Sequence, residues 1–145
     1  MKKQPPSLFN VSDNLKIIED RSGVLALKAY HRLNEKLDIN QVVFSWGFVY
    51  NGRLIGILVW TDMRPAHDAW WTIVTWDKHW CTKKVLNFLF TVAKNVYHLE
   101  RINALVKCQN QPAVRLLERL NFKKEGHLKR YFSDRSDAFL FAKYL

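Results

Sequence analysis

The segment NQPAVRLLERLNFKKEG, residues 110–126, contains a complete short helix with both of its ends marked. Its apolar residues recur at intervals of three and four and therefore share one face: Ala113, Leu116, Leu117 and Leu120. Asn110 or Gln111 can serve as the N-cap, with Pro112 in the first turn, where its missing N–H costs nothing. Asn121 tolerates the left-handed conformation that ends many helices. The free N–H groups at the helix start predict either a plain cap or an anchor for an acceptor-rich ligand.

The composition is typical of one folded domain. The chain has 145 residues, of which 48% are hydrophobic and 14% aromatic, enough apolar material for one core. Its apolar runs are far shorter than the roughly 18 residues of a membrane span, and its N-terminus lacks the apolar core of a signal peptide. Cys81 and Cys108 have no partner Cys or spaced His, which predicts neither a disulfide framework nor a metal site. We expect one domain over residues 1–145, cytoplasmic and without a membrane segment.

The positive charge lies mostly in the second half of the chain. The formal net charge is +10, and residues 78–145 hold 14 Lys and Arg against 5 Asp and Glu. This imbalance predicts a polyanionic partner, either nucleic acid or a small molecule rich in phosphate. No nucleic-acid-binding module is recognisable in the sequence, so we expect nucleic acid not to be the partner.

The hydrophobic periodicity predicts an α/β fold with a mixed sheet. Asn51-Gly52 lies between two β-branched and aromatic runs, which is a strong hairpin signal. The predicted order is a helix (21–36), a hairpin and a third strand (69–76), a helix (82–99), a strand (101–108), the short helix above, and two final strands, LKRYFSD and DAFLFAKYL, around a DRSD turn. The 82–99 helix is long enough to connect two parallel strands. A ligand crevice is expected beside this crossover.

This element order and the tail of the sequence resemble the GNAT superfamily of acetyl-CoA-dependent N-acetyltransferases. The residues that carry the resemblance are Asn110, Ala113, the Leu116-Leu117 pair, and Asn121-Phe122 followed by Lys-Lys-Glu-Gly. The resemblance implies a GNAT fold with a mixed central sheet of about six to seven strands flanked by helices. It also implies transfer of an acetyl group from acetyl-CoA to an amine of a protein or small molecule.

The resemblance implies where acetyl-CoA binds. The pantetheine arm of the cofactor is expected between strands 69–76 and 101–108, and the pyrophosphate at the N-terminus of the 82–99 helix. The implied cofactor-binding residues are Ile73, Val74, Thr75, Lys78, His79, Trp80, Cys81, Thr82, Lys83, Lys84, Asn110 and Arg115. Arg115 and Arg119 either reach a cofactor phosphate or form helix ion pairs with Glu118.

The phosphate loop departs from the family pattern. Cys81 and Lys83 stand where the family usually has Gly, or Gly and then Ala, so the close approach of backbone N–H groups to the pyrophosphate is lost. Lys78, Lys83 and Lys84 can replace some of these contacts with ammonium groups, and Thr82 is the expected N-cap. A Trp-Cys-Thr-basic loop of this kind resembles GNAT-like proteins encoded by bacteriophages.

The catalytic groups of the family are also substituted. The Tyr that many members use to protonate the leaving thiolate falls at Leu117, and the strand AWWTIVTW carries no Glu to act as base. Tyr131 is our candidate acid. Cys108, His79 and Asp68 are substitutes by residue type alone. The structural alternatives are an amphipathic strand residue for Tyr131, a small core residue for Cys108, a loop residue for His79 and a turn residue for Asp68.

Two hypotheses for function follow. The first is a phage-encoded N-acetyltransferase in the host cytoplasm. The second is a catalytically weak GNAT-fold protein that uses its basic half to bind a host protein, with acetyl-CoA retained as a ligand or lost. The sequence leaves the acceptor and the choice between monomer and homodimer open.

Overall fold

The computed structural model describes residues 8–33 and 40–145. The elements in chain order are β1 (Leu8–Asn10), β2 (Leu15–Asp20), α1 (Val24–Leu33), β3 (Val42–Tyr50), β4 (Arg53–Arg64), β5 (Asp68–Thr75), a 3-10 turn (Lys78–Trp80), α2 (Lys83–Asn95), β6 (Arg101–Lys107), α3 (Gln111–Arg119), β7 (Lys123–Leu128) and β8 (Ala138–Tyr144). Residues 34–36, the end of the predicted first helix, lie outside the described residues.

One mixed sheet contains all eight of these strands, in the order β1-β2-β3-β4-β5-β6-β8-β7. Neighbouring strands are antiparallel except β5 and β6, which are parallel and connected through α2. The predicted mixed sheet and parallel crossover are therefore confirmed. The sheet exceeds the expected six to seven strands because β1 and β2 are short strands ahead of α1 that the sequence analysis did not assign. Buried Leu15 and Ile17 alternate with exposed Lys16 in β2, a pattern too short to stand out.

The β3–β4 hairpin turns where the sequence predicts it. Asn51 and Gly52 have φ values of 50° and 77°, as the first and second central residues of a type I′ turn require. The hairpin presents long apolar strands to both faces of the sheet, because residues 55–60 are all buried. Helices cover these two faces, which gives three layers.

The two helical layers form separate parts of the core. On one face, α2 and α3 pack over a cluster of large aromatic side chains that includes Trp46, Trp60 and Trp71. The rings of Trp60 and Trp71 meet edge to face with centroids 5.5 Å apart across β4 and β5. On the other face, α1 packs through Ala26 and Ala29 against a smaller aliphatic cluster. The small alanines let α1 lie close to the sheet.

The predicted ends of α3 are confirmed. Asn110 is the N-cap, and its side chain accepts a hydrogen bond from the Ala113 N–H at 3.4 Å. Asn121 has a φ of 65°, and the Phe122 N–H donates to the Leu117 carbonyl at 2.9 Å, which closes the helix C-terminus. This closure returns the chain directly into β7, so the helix lies beside the end of β6.

The prediction that LKRYFSD forms a strand is wrong. The strand before β8 lies earlier, at Lys123–Leu128, and residues 129–137 form a loop. Arg130 and Arg135 have φ values of 53° and 71°, which interrupt extended pairing, and the Asp137 carboxylate accepts from the Arg130 N–H at 2.9 Å. Tyr131 is therefore an exposed loop residue.

A buried polar network holds β5 and β6 together at one end. Asn103, 2% exposed, donates from Nδ2 to Asp68 Oδ2 at 2.9 Å across the two strands. Arg64 Nε donates to Asp68 Oδ1 at 2.7 Å, and Arg101 Nε donates to Asn103 Oδ1 at 2.7 Å. Asp68 is thus the first residue of β5 and belongs to this network. The turn between β4 and β5 lies before it, so Asp68 is not a turn residue. Because both buried side chains are paired, the network fixes the register of the parallel strands.

This network predicts a specific acid sensitivity. The hydrogen bond from Arg64 holds the pKa of Asp68 below its ordinary value of 3.8, against the opposing effect of burial. A carboxyl group whose pKa is lower in the folded than in the unfolded state stabilises the fold fully at pH values above its unfolded-state pKa. This contribution is lost as the pH falls from the unfolded-state pKa through the folded-state pKa. At pH 7, Asp68→Asn should lower the free energy of unfolding by about 1–3 kcal/mol.

From about pH 5 to pH 3, the thermal midpoint of the Asp68→Asn variant should fall less than that of the parent. Circular dichroism melts across this range give the measurement, and Asp13→Asn, at an exposed position, is the matched control. Parallel pH curves for all three proteins would contradict the role assigned to Asp68.

Candidate active site

The sheet opens between β5 and β6. The parallel pairing runs from Asp68↔Arg101 to Trp71↔Ala104 and stops there, although β5 continues to Thr75 and β6 to Lys107. Successive peptide groups of a strand point alternately to its two neighbours, so alternate groups of residues 72–75 and 105–107 face the opening. These groups are available to a ligand that carries amides of its own.

A cavity of about 660 Å³ occupies this opening. Its walls include Tyr30, Arg32 and Leu33 from α1 on one face of the sheet, and Ala113 and Leu117 from α3 on the other. The cavity therefore crosses the sheet, and its size is typical of a site for a small molecule or cofactor arm. One face can receive a ligand from the α2–α3 side while the other receives a second ligand from the α1 side.

The α2–α3 side carries a group of cations. Thr82 caps α2 by accepting from the Val85 N–H at 3.3 Å, as predicted, and Lys83 and Lys84 form the first turn. Burial raises the pKa of the Cys81 thiol, and the positive charge of Arg119 on α3 opposes that rise. The site thus combines a helix N-terminus with cations from two helices, an arrangement suited to phosphate groups.

A second hollow of about 450 Å³ lies on the outer side of α3. Arg115 and Arg119 line it together with Pro112 and Glu118. Neither arginine forms an ion pair with Glu118 within the described ranges. Both guanidinium groups are therefore open to an anion, which favours the first of the two interpretations of these arginines.

The loop between β5 and α2 is held by its own contacts. Asp77 caps the 3-10 turn by accepting from the His79 N–H at 2.9 Å, and the His79 ring stacks on Tyr50 with centroids 4.4 Å apart. Trp80 is 2% exposed and packs on Phe48. Trp80 therefore anchors the loop in the core, and its side chain does not line the cavity.

The predicted cofactor-binding residues lie in several different parts of the structure. Ile73 and Asn110 line the cavity, whereas Arg115 lines the outer hollow. The Val74 side chain packs against α1, and Thr75 packs over Gly56, so only the backbone of these two residues faces the opening. The remaining residues follow in the loop and the first turn of α2: Lys78, His79, Trp80, Cys81, Thr82, Lys83 and Lys84.

Of the four candidate catalytic side chains, Tyr131 lines the cavity and is 51% exposed. Leu117 also lines it, as an apolar wall that is 4% exposed. Cys108, whose thiol pKa is raised by burial, lies 3.8 Å from His127 Nε2 outside the cavity lining. His79 lies on Tyr50 and Asp68 belongs to the network at the paired end of the strands.

The sequence analysis missed Asp62. It lies at an irregularity in the β4–β5 pairing with a φ of 45°, and it is the only carboxylate among the described residues of the cavity wall. Nothing in TDMRP singles it out, because the irregularity that exposes it depends on pairing with β5. Phe132 and Ser133 were missed as lining residues because their segment was predicted to be a strand.

Two further features of the described residues concern membranes and metals. None of the helices in residues 8–33 and 40–145 combines the length and the apolar character needed to cross a membrane. The same ranges contain no cluster of three or more His, Cys, Asp or Glu residues placed to hold a metal ion.

Comparison with known sequences gives a family match over most of the chain. Residues 8–139 match the acetyltransferase (GNAT) domain family. An N-alpha-acetyltransferase of Saccharolobus solfataricus is 48% identical over 50 residues, which are 34% of this chain and 30% of the relative. The corresponding protein of Sulfurisphaera tokodaii is 39% identical over 49 residues, 34% of this chain and 29% of the relative. The matched segments span less than a third of either relative.

Comparison with solved structures gives the same fold over nearly the whole chain. A ribosomal-protein-S5-alanine acetyltransferase from Vibrio fischeri has a TM-score of 0.69 at 17% identity, covering 94% of this chain and 96% of that one. Spermidine N-acetyltransferase from Vibrio cholerae has a TM-score of 0.68 at 16% identity, and the match covers 92% of this chain and 95% of that one. A ribosomal L7/L12 alpha-N-protein acetyltransferase in complex with coenzyme A has a TM-score of 0.69 at 16% identity, and the match covers 95% of this chain and 98% of that one.

The cations at the start of α2 predict how acetyl-CoA binding responds to charge. Replacing Lys83 and Arg119 by Gln should weaken acetyl-CoA binding about three- to tenfold, because each exposed ion pair with a phosphate contributes a fraction of a kcal/mol to about 1 kcal/mol. The parent affinity should also fall as salt rises. Isothermal titration measures both effects, with Lys94→Gln at the opposite end of α2 as control. Equal affinities for the parent and the double variant would contradict this assignment.

Proposed function

Because the chain belongs to the GNAT acetyltransferase family, we propose that it transfers the acetyl group of acetyl-CoA to an amine nitrogen. The observation that carries the proposal is the opening between β5 and β6, where a cavity crosses the sheet. The chain that leaves β5 at this opening continues into the start of α2, which carries Lys83 and Lys84. Acetyl-CoA has matching parts: a thioester at one end, an arm with two amides, and phosphates at the other end.

The proposed cofactor arm lies along the open edges of the two strands. Its amides pair with the free peptide groups of residues 72–75, as an added strand would. Its phosphates meet Lys83 and Lys84 at the helix start, with Arg115 and Arg119 approaching from α3. The family has Gly or Ala at the positions of Cys81 and Lys83, where backbone N–H groups approach the pyrophosphate closely. In this chain the cations replace those lost N–H contacts.

The proposed reaction is a direct transfer. The lone pair of a neutral amine attacks the thioester carbonyl carbon, the C–N bond forms, and the C–S bond breaks with its electron pair left on sulfur. The amine nitrogen releases its extra proton, and the departing thiolate takes one up. Leu117 cannot supply a proton, so the phenol of Tyr131 is the proposed donor.

The cavity wall favours an acceptor that is easily deprotonated. Its described residues include no His, and Asp62 is the only carboxylate. An α-amino group has a pKa of about 7.7–8.0 against about 10.4 for a lysine amine, so its neutral fraction near pH 7 is about 300-fold larger. We therefore propose a protein α-amine as acceptor, which the partial match to N-alpha-acetyltransferases supports. Arg32 and Lys107 in the wall disfavour a polycation such as spermidine.

A second function remains open because two family features are replaced. Leu117 removes the usual acid, and Cys81 and Lys83 replace the loop glycines. A protein with this site that binds acetyl-CoA without turning it over would act by binding a host protein through its basic half. The bacteriophage origin, the host cytoplasm as location, the single domain over residues 1–145 and the monomeric or homodimeric state all stay predictions from the sequence.

One experiment separates the two functions. The purified protein is incubated with acetyl-CoA and a panel of peptides, polyamines and lysate proteins, and mass spectrometry detects acetylated products. An enzyme gives product with at least one class of amine. A protein that binds acetyl-CoA by titration and yields no product from any amine is the binder.

The proposed acid predicts a selective loss of rate. Tyr131→Phe should lower the transfer rate at least about tenfold, equivalent to about 1.4 kcal/mol of transition-state stabilisation, because a positioned acid typically contributes more than this. Acetyl-CoA affinity should stay nearly unchanged, since the phenol is needed only when the C–S bond breaks. Single-turnover kinetics and titration give the two quantities. A Tyr131→Phe variant as fast as an active parent would remove Tyr131 from the mechanism.

A further inference from the structure

Among the residues that the structure describes, the mouth of the cavity carries more positive than negative side chains. It is bordered by the β7–β8 loop, residues 129–137, which supplies the lining residues 131–133, and by the end of α1. The cationic residues of the wall and this loop are Arg32, Lys107, Lys129, Arg130 and Arg135. The carboxylates are Asp62, Asp134 and Asp137.

Both carboxylates of the loop are already engaged within the protein. Asp134 accepts from the Ser136 hydroxyl at 2.5 Å, from the Ser136 N–H at 3.0 Å and from Lys107 Nζ at 3.1 Å, and these bonds lower its pKa to about 2. Asp137 accepts from the Arg130 N–H at 2.9 Å and lies 2.8 Å from His127 Nε2. Their charges therefore fix the shape of the loop and are not open to bind a cationic substrate.

The arginines at the mouth are not neutralised in the same way. The Arg32 guanidinium stacks on the Trp76 ring, 4.3 Å from its centroid, and forms no ion pair with any residue that the structure describes. Arg130 and Arg135 form no ion pair with any residue in the two described ranges, and they flank the lining residues 131–133. Both have left-handed backbone conformations. Arg130 directly precedes the lining residue Tyr131 and Arg135 follows Ser133 by two positions, so the chain brings both next to the mouth.

We propose that this mouth selects acceptor proteins whose N-terminal amine is followed by acidic residues. The proposal rests on the proposed function and specifies its substrate class. An extended chain advances about 3.3 Å per residue, so when the α-amine is in the cavity the next two to four residues lie at the mouth. Carboxylates of the acceptor at the mouth meet Arg32, Arg130 and Arg135. In the cavity wall, the acceptor's N-terminal ammonium group meets Asp62.

A peptide series tests this selectivity. Peptides of equal length begin with the same Ser and continue with three Glu, three Gln or three Lys, and spermidine is included as a polycation. At saturating acetyl-CoA, kcat/KM for the Glu peptide should exceed that for the Gln peptide about tenfold, since two or three partly exposed ion pairs together give an effect of this size. The difference should lie mainly in KM and shrink as salt rises.

Matched variants assign the effect to the mouth. In Arg130→Gln/Arg135→Gln the ratio of Glu-peptide to Gln-peptide kcat/KM should fall at least about threefold. Lys16→Gln/Lys94→Gln removes the same charge at exposed positions outside the cavity and should keep the parent ratio. Thermal unfolding establishes that both double variants are folded.

The outcomes separate this inference from the function on which it rests. Equal rates for Glu and Gln peptides, preference for the Lys peptide or spermidine, or an unchanged ratio in the arginine variant would overturn the selectivity while leaving the acetyltransferase in place. Transfer to none of the panel, with acetyl-CoA bound, would overturn the proposed function itself.

Discussion

The short parallel pairing of β5 with β6 is the constraint on which the site depends. The strands pair through four residue pairs, and the buried hydrogen bond from Asn103 to Asp68 fixes their register at that end. Beyond Trp71 each strand is tied to its other neighbour, β5 to β4 as far as Thr75↔Gly56 and β6 to β8 as far as Lys107↔Ala138. The two strands cannot close the opening without breaking these outer ladders. The cavity is therefore a stable consequence of the sheet.

Packing at the open end reinforces this geometry. A Cβ atom at Gly56 would lie 2.8 Å from a Thr75 methyl group, so the absence of a side chain lets β4 and β5 remain in register where β5 leaves β6. On the opposite side, α3 places Leu117 in the cavity wall. The same two strands thus border the cavity and present free backbone groups to it.

The sequence predicted the parts of the fold that depend on local chemistry. The Asn51-Gly52 turn, the Thr82 and Asn110 caps and the left-handed Asn121 each follow from what one side chain does to its own backbone. The crossover through α2 followed from helix length and strand order. Two residues of the predicted cofactor site, Ile73 and Asn110, line the cavity at the opening between the parallel strands.

The remaining features depend on contacts between distant segments. Asp62 lines the cavity because of an irregularity in its pairing with β5, and the charge of Arg119 acts on the Cys81 thiol although the two are distant in sequence. LKRYFSD was predicted to be a strand, but Asp137 accepts a hydrogen bond from the Arg130 N–H and holds residues 129–137 as a loop. No periodicity in the sequence reports such long-range contacts, so the cavity mouth could not be derived from it.

The central claim is that the open edges of β5 and β6 hold the arm of the cofactor. Two-dimensional amide NMR during titration with coenzyme A measures this most directly, because it reports on each backbone N–H. We predict saturable shifts for amides within residues 72–75 and 105–107, together with those of residues 81–84 at the start of α2. Saturable binding that shifts only amides elsewhere, such as those of edge strand β7, or no binding at all, would contradict the claim.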